Sequence, residues 1–458
     1  MTAQLETDTT VIKALRKLRM PATQRNRELG LLVFALIITT AAVVLVQLGA
    51  RGEIDPTFLT YCGGLAVLSL ALHIVNRFCA RDADPFVVPI GTLLTGLGIA
   101  MIYRLDIADE VSGWSSLGLR QLAWATLAVL GAIVVVIFLR NYRVLFRYTY
   151  LFGVGGILLL LLPFVPGLGV EAGADVWVSI GGVFSFQPGE LAKICLAIFF
   201  AGYLVRTREA LTSVGTKFLG ITWPKARQLG PLLVIWAISM GIIVLQRDLG
   251  TGILIFGMFV ATLYVATGKT SWVIIGVVLA VSGALAASRV LPYVGARFDN
   301  WLDAFNPAYV NGSSYQLVSG IFGLAHGGLI GTGWGLGRPD LTPLAHNDYI
   351  LPSLGEELGL VGVFAVLALY MVFVSRGIRV GIAGQDDFGK LLATGLSFTL
   401  ALQVFIMVGG VTRLIPLTGL TMPFLAAGGS SLIANFLIIA ILLRISDAVR
   451  SRPRVVIG

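Results

Sequence analysis

The sequence predicts an all-α membrane protein that crosses the bilayer many times. Its 458 residues are 57% hydrophobic and only 12% charged, and the mean hydropathy is +0.89. Apolar runs of about 20 residues recur along the chain, the length a helix needs to cross lipid, which cannot satisfy open backbone groups. We predict about twelve transmembrane helices, at 31–50, 57–76, 86–103, 119–139, 148–166, 189–206, 232–247, 250–267, 272–291, 354–375, 390–411 and 424–443.

Basic residues flank alternate spans, which predicts the orientation of the chain. They cluster before the first span, after the fourth, sixth and tenth, and after the last. Because loops rich in lysine and arginine stay in the cytoplasm, both termini (1–30 and 444–458) are predicted to be cytoplasmic and the segment 292–353 extracellular. The net charge of +9 therefore reflects topology, and no nucleic-acid partner is expected. The first thirty residues are polar and basic and show no cleavable signal peptide.

Other classes of function find little support in the sequence. The longest cytoplasmic loop, 207–231, is too short for a nucleotide-binding domain, which argues against ATP as an energy source. The three cysteines and three histidines lack the spacing of a metal site or a disulfide pair. No internal repeat is evident, which weakens a transporter built from two halves.

The segment 292–353 is the long stretch outside the apolar spans that carries both acids and aromatics. In so hydrophobic a chain, a segment of some sixty residues outside the lipid is expected to carry the function of the protein. Its part 320–337 is rich in glycine, which is typical either of a flexible or re-entrant connector or of backbone packed against a ligand.

Charged residues at membrane depth are costly and need a reason. Glu190 and Lys193 lie three residues apart, on one face of the predicted sixth span. They form either a buried ion pair that fixes helix packing or a pair in which one partner exchanges for a charged ligand group. Asp248 stands between two spans, where it can cap a helix. Glu356 and Glu357 begin the predicted tenth span, where carboxylates suit the positive end of a helix.

Five segments in the same order resemble the signatures of the SEDS family of membrane proteins, over residues 173–435. They are Gly173 to Trp177 with Gln187 to Lys193, Asp248 to Thr251, His346 to Tyr349, Gly355 to Gly359, and Thr421 to Ser431. About ten spans are usual for that family. The resemblance therefore implies a SEDS-like core at 167–443, preceded at 31–166 by N-terminal helices of which two are additional.

The resemblance implies a peptidoglycan glycosyltransferase of the bacterial cytoplasmic membrane. It would polymerise lipid II at the outer face, with a class B penicillin-binding protein, a transpeptidase, as partner. The short tail after Arg444 favours a role in cell elongation and shape over one in division. The alternatives are a division-type family member, a lipid II flippase or transporter, and a scaffold for a penicillin-binding protein. Polymerisation needs an extracellular carboxylate, whereas translocation and scaffolding do not.

The candidate base is Asp303, because glycosyl transfer requires removal of a proton from the acceptor 4-hydroxyl. The family's loop aspartate precedes a proline, and here that place is held by Asn306, which cannot act as a base at neutral pH. Asp303 is the nearest carboxylate, and Asp299 is its alternative. Arginines suit the departing diphosphate, and the candidates outside the membrane are Arg247, Arg338 and Arg413.

Further substrate contacts are predicted at Glu190, Lys193, Asp348 and Trp177, the last by stacking on a sugar. Trp177 carries more weight than other outer aromatics, which are often only anchors at the lipid headgroups. A divalent cation, Mg²⁺ or Mn²⁺, is plausible beside Asp303 or Asp348, although no ligand cluster fixes a metal site.

Overall fold

The computed structural model describes residues 23–169, 176–180, 184–212, 216–218, 221–223 and 226–451. Its α-helices are α1 (Thr23–Arg51), α2 (Thr57–Cys79), α3 (Val87–Ala108), α4 (Leu117–Phe138), α5 (Val144–Arg147), α6 (Thr149–Leu161), α7 (Pro188–Thr212), α8 (Ala226–Leu245), α9 (Leu249–Thr267), α10 (Ser271–Val290), α11 (Pro292–Leu302), α12 (Tyr315–Gly327), α13 (Ile350–Ala383), α14 (Asp387–Val411) and α15 (Gly429–Arg450). Short 3-10 helices occupy 113–115, 162–164 and 339–341.

Two small antiparallel hairpins accompany the helices. Strands β1 (Val178–Ile180) and β2 (Phe184–Phe186) pair with Ser179 opposite Ser185, directly before α7. Strands β3 (Thr216–Phe218) and β4 (Ile221–Trp223) pair between α7 and α8. The architecture is thus the predicted helical bundle with minor strand content.

Ten helices in the described ranges are long and apolar enough to cross a membrane. They include α1 to α4, α7, α9, α10 and α13 to α15. The predicted spans 148–166 and 232–247 correspond to shorter apolar helices, Thr149–Phe164 and Leu233–Leu245. The predicted number of twelve spans is therefore not confirmed. At 1.5 Å per residue, the 13 residues of α6 fall well short of the thickness of a bilayer core, whereas α8 has 20 residues.

Helix α3 occupies the centre of the bundle. Its apolar window is entirely buried, and it packs against α1, α4, α13 and α15. Close packing at Gly98 illustrates why small residues line this helix. A Cβ at Gly98 would lie 2.2 Å from the carbonyl oxygen of Leu425, so only glycine permits this backbone approach.

The segment 292–353, predicted as a loop, contains helices α11 and α12. Helix α12 packs against α13, and the chain after it pairs with a break in α13. At that break Gly359 has φ 67° and ψ −174°, a conformation open to glycine but strained for other residues. Its neighbours Leu360 and Val361 donate backbone hydrogen bonds to Gly328 (3.0 Å) and Leu329 (3.1 Å). The glycine-rich part is therefore ordered backbone in contact with the bundle. We call the end of the bundle that carries 292–349 the loop end.

Charged side chains hold the opposite end of the bundle together. Asp84, in the α2–α3 connection, is paired with Arg376 and with Arg450, each at 2.5 Å. Arg25 of α1 donates to Glu28 and to the carbonyl oxygen of Ala83. Arg25 therefore holds the first helix to the α2–α3 connection, and buried Asp84 holds that connection to α13 and α15. We call this the terminal end.

Candidate active site

The ion pair predicted at the start of α7 is formed. The Glu190 carboxylate lies 2.5 Å from the Lys193 ammonium, and the two residues are only 6% and 2% exposed. Lys193 also donates to Oε1 of Gln403 on α14 (2.9 Å). The amide of Gln403 in turn donates to the carbonyl oxygen of Thr421 (2.9 Å). This pair therefore ties α7 to α14 and to the segment that precedes α15.

Asp248 caps helix α9, as predicted. Its Oδ1 accepts from the backbone N–H of Thr251 at 3.0 Å. Its Oδ2 accepts from the side-chain amide of Gln187 at 3.4 Å, and the Gln187 backbone N–H donates to Oγ of Ser430 at 2.7 Å. Residues of three of the matched segments thus meet at one place.

The loop 417–420 is the point on which further groups converge. A Cβ at Gly250, in the first turn of α9, would lie 3.1 Å from the Thr418 carbonyl oxygen. A Cβ at Gly419 would lie 3.8 Å from Oδ2 of Asp348. Arg297 of α11 donates from Nη1 to the carbonyl oxygen of Leu417 at 3.1 Å. Asp348 and Arg297 therefore reach the same loop from different elements. We call Glu190, Lys193, Asp248, Arg297 and Asp348 the polar cluster.

The aspartates of the polar cluster, Asp248 and Asp348, have raised pKa values. Burial raises the pKa of Asp348 to about 6; the charge of Arg297 lowers it, and Asp248 adds to the rise. Burial also raises the pKa of Asp248, against hydrogen bonds from Thr251, and Glu190 raises it further. A group with a perturbed pKa and a specific charged neighbour is typical of a functional site.

Asp303, the predicted base, lies at the C-terminal cap of α11 and is exposed. Its Oδ2 accepts a hydrogen bond from the Asn306 amide at 2.8 Å. Asn306, which stands at the place of the family's aspartate, thus touches the carboxylate that we expect to replace it. Phe305, two residues after Asp303, packs edge-on against Phe322 with ring centroids 6.2 Å apart. Asp299, the alternative, is exposed one turn earlier.

Arg413 anchors the segment that carries Asp303. Its Nε and one Nη donate to the carbonyl oxygens of Trp301 (2.7 Å) and Leu302 (2.6 Å), the last residues of α11. The Trp301 indole N–H returns a bond to the Arg413 carbonyl oxygen at 3.1 Å. The Nε and Nη2 groups of Arg413, which the sequence analysis assigned to a diphosphate, therefore bind the end of a helix.

The other predicted contacts lie apart from the polar cluster or have partners of their own. The guanidinium of Arg338 is paired with Asp340 at 3.3 Å. Arg247 is exposed and has a left-handed backbone with φ 58°. Trp177 is half-buried just before β1, and residues 173–175 of its motif lie outside the described residues.

Neither carboxylate favoured for a divalent cation has a suitable set of neighbours. Among the residues described, no three His, Cys, Asp or Glu side chains gather into a group that could hold a metal ion. Asp348 has one carboxylate neighbour, Asp248, and the cation near both is Arg297. The arrangement gives two anions and a fixed guanidinium, which is an incomplete oxygen shell for Mg²⁺ or Mn²⁺.

Two candidate residues at the loop end were missed by reasoning from sequence. Arg297 lies in the segment 292–353, which was selected for its acidic residues. Its guanidinium nevertheless binds loop 417–420. Arg104 directly follows the predicted third span and lies within helix α3. A charge at the end of an apolar span was the signal that could have identified it. Arg104 pairs with Glu357 at 3.0 Å and also donates to the carbonyl oxygen of Gly337 at 2.8 Å.

Glu356 and Glu357 lie in the second turn of α13, buried and bound to loop groups, and do not begin the helix as expected.

The segments that meet at the loop end lie within a long range of the chain that matches a known protein family. The model of the FtsW/RodA/SpoVE family, described as a cell cycle protein, matches residues 86–451. The chain belongs to the FtsW/RodA/SpoVE family. The resemblance to SEDS proteins is thereby confirmed. Helices α1 and α2 precede the matched range, and the two additional N-terminal helices stay a prediction.

Relatives within this family are similar over almost the whole chain. The peptidoglycan glycosyltransferase RodA of Mycobacterium tuberculosis H37Rv is 45% identical over 442 residues, 94% of this chain and 93% of that protein. RodA of Mycobacterium leprae is 43% identical over 463 residues, 99% of this chain and 96% of that protein. A probable peptidoglycan glycosyltransferase FtsW of Geobacter metallireducens is 32% identical over 378 residues, 81% of this chain and 96% of that protein. Of these three relatives, the two mycobacterial RodA proteins are more similar to this chain than the FtsW protein is.

Solved structures of the family share the fold. The rod shape determining protein RodA of Thermus thermophilus aligns with a TM-score of 0.56 and 23% identity, over 81% of this chain and 98% of that one. A chain from a peptidoglycan synthase complex, studied for its coordination of polymerization and crosslinking, aligns with a TM-score of 0.62 and 24% identity, over 80% of this chain and 97% of that one. Both support the multi-pass helical architecture.

Proposed function

We propose that this protein is a peptidoglycan glycosyltransferase of the RodA type, which polymerises lipid II at the outer face of the bacterial cytoplasmic membrane for cell elongation. The observation that carries the proposal is the meeting of residues from separate matched segments in one polar cluster at the loop end. The names of its relatives support the same activity. The distribution of basic residues supports an outward-facing loop end and cytoplasmic termini.

The reaction joins two lipid-linked sugars. The 4-hydroxyl of the acceptor attacks the anomeric carbon of the donor, the bond from that carbon to the diphosphate oxygen breaks, and the lipid diphosphate leaves. The transition state resembles an oxocarbenium ion, by analogy with glycoside hydrolysis. We assign removal of the hydroxyl proton to Asp303, whose Oδ1 has no hydrogen-bond donor within the described ranges.

The polar cluster is suited to the charged part of the substrate. Lys193 is locked between Glu190 and Gln403 and stabilises the bundle wall behind the site. Asp348 reaches loop 417–420 without a hydrogen-bond donor from the described part of the chain, so its carboxyl, in the neutral form, can donate a hydrogen bond to the substrate. Trp177 is the proposed platform for a sugar ring. No step requires a metal, and the expected divalent cation stays a prediction.

A partner is part of the proposal. The synthase complex named above couples polymerization with crosslinking. We propose that this chain likewise works with a class B penicillin-binding protein, while lipid in the surrounding membrane covers its apolar faces. Because the partner also affects rates, the test uses both proteins.

The decisive experiment is reconstitution of the full chain with its partner and lipid II in lipid nanodiscs. Glycan chains should form, as detected by gel separation of labelled product, and Asp303→Asn should abolish them. A chain that moves lipid II between leaflets of a vesicle without forming polymer would support the flippase alternative. A polymerase that functions only with division proteins would support the division-type alternative.

A further inference from the structure

The departing diphosphate carries negative charge that a cation at the site must balance. The sequence suggested Arg247, Arg338 or Arg413 for this role, whereas the structure favours a different arginine. Arg413 binds the end of α11 through its Nε and Nη2 edge, and Arg338 is paired with Asp340. Arg247 lies exposed on the α8–α9 turn. None of these three guanidiniums has a bond to the polar cluster, whereas Arg297 is held at loop 417–420, where Asp348 also lies.

Arg297 is anchored at one point and open at the others. Its Nη1 donates to the Leu417 carbonyl oxygen at 3.1 Å. Its Nε and Nη2 have no acceptor among the described residues, so an edge of the guanidinium with parallel N–H groups is available. That edge is the geometry with which arginine binds two oxygens of a phosphate group.

Arg297 also lacks a direct counter-ion. It is half-buried, yet it forms no salt bridge with any residue in the described ranges. Asp248 and Asp348 are near enough to feel its charge, but each lies beyond direct contact. A partly buried cation without a contacting anion is costly in an isolated protein. An anionic ligand at this position would remove that cost.

We infer that Arg297 binds the diphosphate of the lipid-linked sugar donor through its free guanidinium edge. The inference rests on the proposed function for the identity of the donor. Binding itself requires only the diphosphate. Because negative charge grows on the bridging oxygen as the bond to the sugar breaks, this contact strengthens in the transition state.

The test measures binding apart from catalysis. The full chain in nanodiscs is titrated with undecaprenyl diphosphate and with undecaprenyl monophosphate, and bound lipid is counted by native mass spectrometry. Wild type should prefer the diphosphate. Arg297→Ala should weaken diphosphate binding on the order of tenfold and reduce the preference over the monophosphate. Arg297→Lys, which keeps the charge without the paired N–H groups, should fall between them.

Arg289→Ala is the matched control, because Arg289 is an exposed arginine in the last turn of α10, just before α11. It should bind both lipids as wild type does. Thermal unfolding of each variant separates lost binding from lost folding. With lipid II as substrate, Arg297→Ala should lower kcat as well as raise KM.

The outcomes distinguish this inference from the proposed function. A folded Arg297→Ala variant that binds undecaprenyl diphosphate as wild type does would overturn the inference, whatever its polymerase activity. Equal loss in Arg289→Ala would overturn it too, since the effect would then be general surface charge. Wild type that binds the diphosphate through Arg297 but never polymerises lipid II would uphold the inference and refute the polymerase.

Discussion

Arg104 and Glu357 form a buried ion pair, with Nε and Oε1 3.0 Å apart, that joins the central helix α3 to the broken helix α13. Oε2 of Glu357 accepts the backbone N–H of Gly335 at 3.0 Å, and Arg104 donates to the carbonyl oxygen of Gly337 at 2.8 Å. Each charge is therefore satisfied both by the other and by the glycine-rich segment. The pair positions that segment against the bundle.

Removal of one member of this pair should be costly. We expect Glu357→Leu to lower the free energy of unfolding by about 3–5 kcal/mol, because the Arg104 charge is left buried without its partner. The double variant with Arg104→Met should be less destabilised than the single one. Thermal unfolding of the purified chain in detergent measures both, and Arg51→Met, which disrupts an exposed ion pair with Asp55, is the control. Equal stability of Glu357→Leu and wild type would show that the pair contributes nothing.

Asp303→Asn should reduce lipid II polymerisation about 10²–10⁴-fold, the usual contribution of a general base. The bond from Asn306 can persist with an amide at position 303, so folding should not suffer. The measurement is the initial rate of glycan formation in nanodiscs with the partner present. Asp299→Asn is the matched control one turn earlier and should retain the rate. Reversed behaviour of the two variants would move the base to Asp299.

Asp348 should make lipid II binding dependent on pH. Its pKa is raised to about 6, so the carboxyl is neutral below that pH and negative above it. The diphosphate in lipid II stays ionised over this range, and a negative Asp348 beside Arg297 opposes it. Affinity should therefore fall, by up to roughly tenfold, as pH rises from about 5 to 7.

Asp348→Asn should remove this pH dependence and hold the affinity near its low-pH value. The check is a titration of lipid II binding at several pH values with the wild type and the variant. A dependence that survives in Asp348→Asn would assign the titration to another group, of which Asp248 is the neighbour with a raised pKa.

Gly49 of α1 should be intolerant of a side chain. A Cβ there would lie 2.1 Å from the carbonyl oxygen of Trp334, in the same segment that Glu357 holds. We expect Gly49→Leu to cost about 1–3 kcal/mol of stability and to lower polymerase activity by moving that segment. Gly30→Leu, on the same helix with open space around its Cβ, should behave as wild type. Both are read by thermal unfolding and by glycan synthesis.

The bundle was predictable from sequence because hydropathy alone selects long apolar helices. Long apolar helices with many exposed residues, such as α10, were clear, whereas the apolar stretches Thr149–Phe164 and Leu233–Leu245 are shorter than a full span, so hydropathy does not decide whether they cross the membrane. The i, i+3 spacing of Glu190 and Lys193 was enough to predict their ion pair, since both lie on one helix. The cap at Asp248 followed from the same local reasoning.

Residues that meet across the fold were harder to predict. Arg297 joins loop 417–420 from more than a hundred positions away, and no local pattern encodes that bond. Arg413 was selected for its charge, but its donors are used by α11, a helix hidden inside a presumed loop. The order of matched segments predicted the family, while their contacts depended on packing.

Helix α1 contacts both ends of the bundle, through Arg25 at the terminal end and through Gly49 at the loop end. It thus lies outside the family-matched range yet supports the segment next to Glu357. A shortened chain that starts at residue 86 would expose the Tyr103 hydroxyl, now hydrogen-bonded to Gln47 at 2.9 Å, to acyl chains. A minimal enzyme, or a graft of this core onto another relative, will therefore have to include helices α1 and α2.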